Sequence, residues 1–392
     1  MKILLANFTK MVNDNGGLAK VTSSFANEMT KRGHNVSILY SDEKQGEFFY
    51  AINEQVHCYN LKESADGSRI KFPLYLKAFR ELLRVIGKRP ARTVNSWFEE
   101  KYLLDNVRYY LNIINPDIIV TYQPAASKLI LCDAKINIPV ITMSHGDPED
   151  YFYIYPKKEI PALEKSAVCQ VLIPSYGRHL TNHLPNVNVK VIGNAIPQFD
   201  FSADLAAEKN IYKIIFVGRL AKNHKRPHLL IQAFIKLADK YPNWIVEIWG
   251  AKDRAAYYKE LEYMIKSANL QSRILLKGST TKVPEKLRQA DILAFPSAYE
   301  GFSLALGEGM SAGLPAVGYK NCPSVNEVII DGKTGLLCDD GYEPFATALD
   351  KLMGDKELRV KMGKAAKDEM ADFAPEKIWN QWEELMEKVI NK

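Results

Sequence analysis

The residues best equipped for chemistry in this 392-residue chain are two glutamates, Glu300 and Glu308, in the segment AYEGFSLALGEGMSAGLPAV at 298–317. A strand-like run closes just before them on Phe295-Pro296-Ser297, and an apolar helical run after them stops at Gly313. A helix beginning near Phe302 or Ser303 would leave its first backbone N–H groups without partners and turn its positive dipole end toward Glu300. That arrangement binds anions such as phosphate. Glu308 would stand inside the helix, about 12 Å farther along at 1.5 Å per residue, and address a different part of an extended ligand. Taken alone, two glutamates at this spacing read equally well as one capping and one solvent-facing side chain.

A second constellation is FVGRLAKNHKRPHLLIQAF at 216–234. A strand runs into a turn holding Gly218, Arg219 and Lys225, and Pro227, a favoured first helical residue, opens a helix. Arginine offers a planar fork to phosphate oxygens and lysine a compact charge, so the pair could neutralise a departing diphosphate without a metal. Lys222 is a nearby alternative, and an exposed basic turn is the plain reading. Weaker signals follow other strand-like runs: Gly16-Gly17 before a helix, His145 just beyond PVITM, Gly250 after WIVEIW, and Lys277-Gly278-Ser279. Paired glycines let backbone N–H groups approach a phosphate closely, although a lone pair is usually a turn. A lone histidine is more often structural.

The elements that must position these residues alternate between strand and helix. KILLA, VSILY at 36–40, DIIVTY at 117–122 and PVITM at 139–143 form one set, with a helix read in LAKVTSSFANEMTKRG from Leu18, Val21, Phe25 and Met29 and stopped by Gly33. YKIIFVG after Ile211, WIVEIWG at 244–250, RILLKG at 273–278, DILAF at 291–295 and PAVGY at 315–319 form another. The expected fold class is α/β, two Rossmann-like doubly wound domains facing across a cleft. The expected bounds are 1–193, a linker at 194–210, 211–374, and a terminal helix at 375–392 that returns to the first domain on Ile378, Trp382, Leu385 and Val389.

These motifs resemble the donor site of family 4 of the retaining glycosyltransferases, which have the GT-B fold. Phe-Pro-Ser, Glu-Gly-Phe-Ser-Leu, Glu308 and Ala-Gly-Leu-Pro carry the likeness. It implies that Glu300, with Gly301, Phe302 and Ser303, lies by the donor sugar and pyrophosphate, and that Glu308 binds ribose hydroxyls. It further implies Arg219 and Lys225 on the pyrophosphate, Gly16 and Gly17 in a glycine loop, and His145 near the donor sugar. Gly218, Gly250, Gly278 and Ser279 would complete the nucleotide site. The family commonly has glycine after this lysine, where the chain has Arg226 and Pro227. KNCPSVNEVIIDGKTGLL is similar to bacterial cell-envelope polysaccharide transferases. The resemblance thus implies metal-independent, retaining transfer of a hexosyl unit from a nucleotide-sugar, UDP-linked with GDP as the alternative, to a growing, lipid-linked glycan. A nucleotide-sugar 2-epimerase and an inactive sugar-nucleotide-binding protein are the other readings.

Composition is that of an ordinary globular chain, 47% hydrophobic and 25% charged, which excludes disordered and collagenous classes. No Asp-x-Asp pair occurs and His and Cys do not cluster, so no metal cofactor is expected. The P-loop and G-x-G-x-x-G motifs are missing too. The scattered Cys58, Cys132, Cys169, Cys322 and Cys338 read as reduced, buried thiols. No long apolar run or signal-like start occurs, and the expected location is cytoplasmic, with a peripheral association at the inner face of the membrane.

That association is suggested by residues 69–92, where Arg69, Lys71, Lys77, Arg80, Arg84, Lys88, Arg89 and Arg92 face Glu81 alone. No nucleic-acid-binding motif accompanies them. Drawn as one helix from Lys71 to Arg92, Tyr75, Phe79, Leu82 and Ile86 make an apolar stripe, and Lys77, Arg80, Arg84 and Lys88 lie opposite. The expectation is a stripe packed on the domain core with cations turned outward to water or to an anionic membrane surface.

Overall fold

The computed structural model describes residues 1–14, 16–63 and 67–392. The chain divides into two compact units, the first formed by Met1–Asn194 with Ile378–Lys392 and the second by Ala195–Lys377. Residues 195–210, expected as a linker, therefore belong with the second unit. The Ile196 amide donates to the Phe373 carbonyl at 2.8 Å and the Ala203 amide to Ala312 at 2.7 Å. Backbone hydrogen bonds, which periodicity cannot reveal, tie this polar stretch down.

The first unit is built on β1 (Lys2–Asn7), β2 (Asn35–Tyr40), β3 (His57–Asn60), β4 (Ile118–Thr121), β5 (Val140–Met143), β6 (Val168–Val171) and β7 (Val189–Val191). They make one sheet in the order β3-β2-β1-β4-β5-β6-β7, parallel throughout. The second unit has β8 (Tyr212–Val217), β9 (Trp244–Trp249), β10 (Ile274–Gly278), β11 (Ile292–Ala294), β12 (Ala316–Tyr319) and β13 (Gly335–Cys338). Their order is β10-β9-β8-β11-β12-β13, again parallel. Both sheets are doubly wound. In each, the order reverses beside the first strand, between β1 and β4 and between β8 and β11, and ligands of such sheets bind beyond the strand carboxyl ends at this reversal.

The helix Gly17–Lys31 turns Phe25 and Met29 inward, with Leu18 and Val21 only partly covered. Phe25 meets the C-terminal helix Pro375–Ile390 edge-on, 5.4 Å from Trp379 and 5.0 Å from Trp382 between ring centroids. Ile378, Trp382, Leu385 and Val389 are all buried there. Arg32 adds an ion pair to Glu383 at 2.9 Å. Trp382→Ala should destabilise the first unit by about 3–5 kcal/mol, read as a lower urea midpoint. An unchanged midpoint would show that this helix is dispensable.

Two expectations need correction. Cys58 is exposed, because His57–Asn60 is the edge strand of its sheet; Cys169, Cys322 and Cys338 are buried. The basic segment is not one helix: Leu74–Ile86 and Lys88–Tyr102 are separate, broken at Gly87. Its apolar stripe does not pack on the core. Tyr75, Phe79, Leu82 and Ile86 are exposed, while Leu76 and, partly, Leu83 make the core contact beside Phe72 and Phe98. Two of the cations turn toward the domain instead, Lys77 to Glu43 at 3.6 Å and Arg80 to Asn95 at 3.2 Å.

Candidate functional site

In the second unit the loops after β8 and β11, on either side of the reversal point, bring Lys225 and Glu300 together. Lys225 Nζ lies 2.5 Å from Glu300 Oε1, with side chains 15% and 7% exposed. The ammonium also stands 5.0 Å from the centre of the Phe295 ring. Lys222 is turned away to Glu260 at 2.7 Å, so it does not share this position. Arg219, 62% exposed, reaches Asp253 at 3.6 Å and is held loosely enough to receive an anion. His224, which motif reading passed over, borders the pair: its carbonyl accepts from the Ala298 amide at 2.8 Å, and burial lowers its ring's proton affinity against the pull of Glu300.

Arg226 explains the departure from glycine after the lysine. Its backbone is left-handed, φ 48°, a conformation in which glycine is free of strain. The side chain compensates by holding the neighbouring loop: Nε donates to the Pro296 carbonyl at 3.0 Å and Nη1 pairs with Asp340 at 2.8 Å. Arg226 thereby ties the Lys225 turn to the segment leading to Glu300, a role legible only in three dimensions.

The helix carrying Glu308 spans Leu304–Ser311, with Ser303 as its N-cap accepting from the Leu306 amide at 3.4 Å. Glu300 therefore lies outside the helix, and the 1.5 Å rise assumed between the two glutamates applies only from Leu304 onward. The amides of the first turn have no intrahelical acceptor. Gly307 and Gly309 seat the helix closely, since a Cβ on either would come within 2.5 Å of Ile196 or Leu293. Glu308, half-buried between them, is thus held on a fixed backbone. Phe302 is buried and packs 5.2 Å from Phe373, so its ring is committed to the fold and it offers a ligand its backbone.

Gly218, Gly250 and Gly278 come together where β8, β9 and β10 end. The Gly218 amide donates to Trp249 at 2.9 Å and the Gly250 amide to Gly278 at 2.8 Å. A Cβ on Gly250 would lie 1.8 Å from the Gly218 carbonyl oxygen, and Gly278 has φ 73°. Glycine is required at 250 by this close approach and favoured at 278 by its backbone angle. Ser279 follows, exposed.

Gly16, Gly17 and His145 belong to the first unit. Gly16 is the N-cap of the Gly17–Lys31 helix and its amide donates to Asp14 at 3.1 Å, so one amide of the glycine loop is already occupied. Gly17 is open on the side where a Cβ would stand. Asn15 lies outside the described residues. His145 follows β5 and stacks on Tyr122, ring centroids 5.1 Å apart; its Nε2 is buried without a hydrogen-bond partner among the described residues. Burial lowers its pKa from 6.5 to about 4, so at neutral pH the imidazole is uncharged. It contributes a dipole and a lone pair, not a cation. Because the unfolded chain takes up this proton below about pH 6.5 and the folded chain only near pH 4, stability should fall as pH drops through that window and be indifferent to this group above it. His145→Gln should flatten that part of the stability–pH curve; an unaltered slope would show that the ring titrates normally.

The first unit also holds a cavity of about 480 Å³ at the carboxyl ends of β1 and β2, which sequence reading did not find. Lys10, Lys44, Lys62, Lys77 and Arg80 line it with Asp42, Glu43 and Glu99. Asp42 accepts from the Met11 and Val12 amides at 3.1 and 3.0 Å and so shapes the loop after β1. Burial works to raise the Glu43 carboxyl, but the Phe72 amide, Lys62 and Lys77 outweigh it and hold it below its usual range. Burial pushes Glu99 up to about 7. The lining is thus biased toward positive charge.

Residues 197–369 match the family described as glycosyl transferases group 1. Over 96% of its length the chain is 25% identical to an exopolysaccharide phosphotransferase of Streptomyces coelicolor, of which it spans 40%. It is 24% identical to the amylovoran biosynthesis glycosyltransferase AmsD of Erwinia amylovora, covering 96% of this chain and 97% of that one. Among solved structures, TarM of S. aureus, in complex with fondaparinux, alpha-GlcNAc-glycerol and UDP, superposes with a TM-score of 0.75 at 17% identity, over 98% of this chain and 100% of that one. Residues 197–369 are therefore a glycosyltransferase domain of group 1, carried in a chain with the GT-B fold.

Proposed function

We propose that the chain transfers a hexosyl unit from a UDP-sugar to a hydroxyl of a growing, lipid-linked bacterial glycan, with retention of anomeric configuration and without a metal. The observation that carries the reading is the Lys225–Glu300 pair at the reversal point of the second sheet. Beside it stand the glycine-lined strand ends, Arg219 and the first-turn amides of the Leu304–Ser311 helix. The diphosphate would lie against Arg219, Lys225 and those amides, which supply the positive charge a metal would otherwise bring. As the anomeric carbon–oxygen bond breaks, negative charge collects on the leaving phosphate. The acceptor hydroxyl attacks on the same face, and its proton passes to a leaving phosphate oxygen. Glu308 would hold the ribose hydroxyls.

The UDP reading draws on the UDP bound in TarM, and the polysaccharide reading on the amylovoran enzyme. In the first unit the cationic cavity suits an acceptor bearing phosphate or carboxylate groups. The test is release of nucleoside diphosphate from a panel of UDP- and GDP-sugars in excess EDTA. UDP release that survives EDTA supports the proposal; complete loss with rescue by magnesium or manganese would overturn its metal-free part. Conversion of donor alone into an epimer would identify a 2-epimerase instead.

A further inference from the structure

The Leu74–Ile86 helix carries an apolar face that the first unit does not cover. Leu74 is 81% exposed, Tyr75 62%, Phe79 50%, Leu82 65%, Val85 87% and Ile86 75%. At 100° per residue these side chains and Ala78 fall within an arc of about 140°. A helix on a water-soluble surface normally turns such an arc inward. Here the inward side is made by Leu76 and Leu83, with Arg80 lying 5.1 Å over the Phe72 ring. The orientation is thereby anchored by the domain core, and the large apolar side chains are left outside.

The charges around the face select what covers it. Lys71, Arg84 and Lys88 are exposed beside it, and Glu81, 2.6 Å from Arg84, is the one acid in residues 69–92. On the adjoining Lys88–Tyr102 helix, exposed Lys101 stands 4.8 Å over the Trp97 ring, itself 39% exposed. A second copy of this face would bring like charges together, which disfavours self-association. An anionic bilayer meets both demands: its acyl chains take the apolar arc and its headgroups the cations. Thirteen residues are too few to span a membrane, so the helix would lie in the plane of the interface.

We propose that the Leu74–Ile86 helix is a membrane-seating element, with Leu74, Phe79, Leu82, Val85 and Ile86 among the acyl chains of an anionic leaflet and Lys71, Arg84 and Lys88 at headgroup level. This rests on the surface chemistry of one helix and stands apart from the sugar-transfer reading. It also differs from recruitment by charge alone, because apolar burial persists when salt screens the cations.

The test is flotation of the full chain with vesicles of phosphatidylcholine alone and of phosphatidylcholine mixed with phosphatidylglycerol. The wild type should float with the mixed vesicles and be weakened, but not released, by high salt. Leu82→Ser/Val85→Ser/Ile86→Ser should lower vesicle affinity about tenfold or more with its circular dichroism and thermal midpoint retained, since all three side chains are exposed. Lys71→Ser/Arg84→Ser/Lys88→Ser should remove the preference for the mixed vesicles. Equal flotation of the wild type and the apolar triple variant, or no flotation of the wild type, would overturn the proposal. So would a wild-type dimer in sedimentation that the apolar triple variant abolishes, which would assign the face to a second copy.

Discussion

Lys225→Met is expected to lower kcat by about 10²–10³-fold, the loss found when one preorganised donor is taken from developing negative charge. It should also destabilise the second unit by about 3–5 kcal/mol, because the Glu300 carboxylate, 7% exposed in its side chain, would lose the cation 2.5 Å away. The two effects separate in the double variant Lys225→Met/Glu300→Gln. Removing the carboxylate's charge should recover most of the stability, read by urea titration, while turnover stays at or below that of Lys225→Met. Recovery of turnover with stability would show that Lys225 serves only to neutralise Glu300. Unchanged kcat in the single variant would remove it from the reaction.

Glu308→Ala is expected to act differently. A hydrogen bond to a charged group contributes about 1.5–3 kcal/mol, so loss of the ribose contact should raise the dissociation constant for UDP about 10- to 100-fold in calorimetric titration. The ribose does not react, so this interaction is the same in ground and transition states and kcat should change little. Glu308 is half-buried on a helix seated by its flanking glycines, and the substitution should leave the fold intact. Unaltered UDP affinity would sink the assignment.

What the sequence shows of this molecule depends on how local the signal is. Segment 298–317 is legible because cap, helix and both glutamates are consecutive, and Ser303 opens the helix within a residue of the expected start. The apolar strand runs are legible for the same reason. β3 (HCYN), β6 (VCQV), β7 (VKV) and β13 (GLLC) have three or four residues, as do β4, β5, β11 and β12, but polar residues or a glycine interrupt them, so their apolar pattern does not stand out. The cationic cavity draws on residues from Phe8 to Leu103, and no single segment advertises it. The Leu74–Ile86 helix shows a further limit. Periodicity identifies its two faces, but only the contacts of Leu76 and Leu83 with the core decide which one is buried. The resemblance likewise marks Arg226 as a departure, whereas its left-handed backbone and its hydrogen bond to Pro296 show how the departure is accommodated.

The central claim, sugar transfer with retention at the Lys225–Glu300 site, is tested most directly on the donor alone. Slow hydrolysis of an α-linked UDP-sugar by the full chain can be followed by proton NMR before the released sugar mutarotates. The account predicts that the first sugar to appear is the α-anomer, and that its rate of appearance falls with Lys225→Met. First appearance of the β-anomer, or a rate indifferent to Lys225, would contradict it.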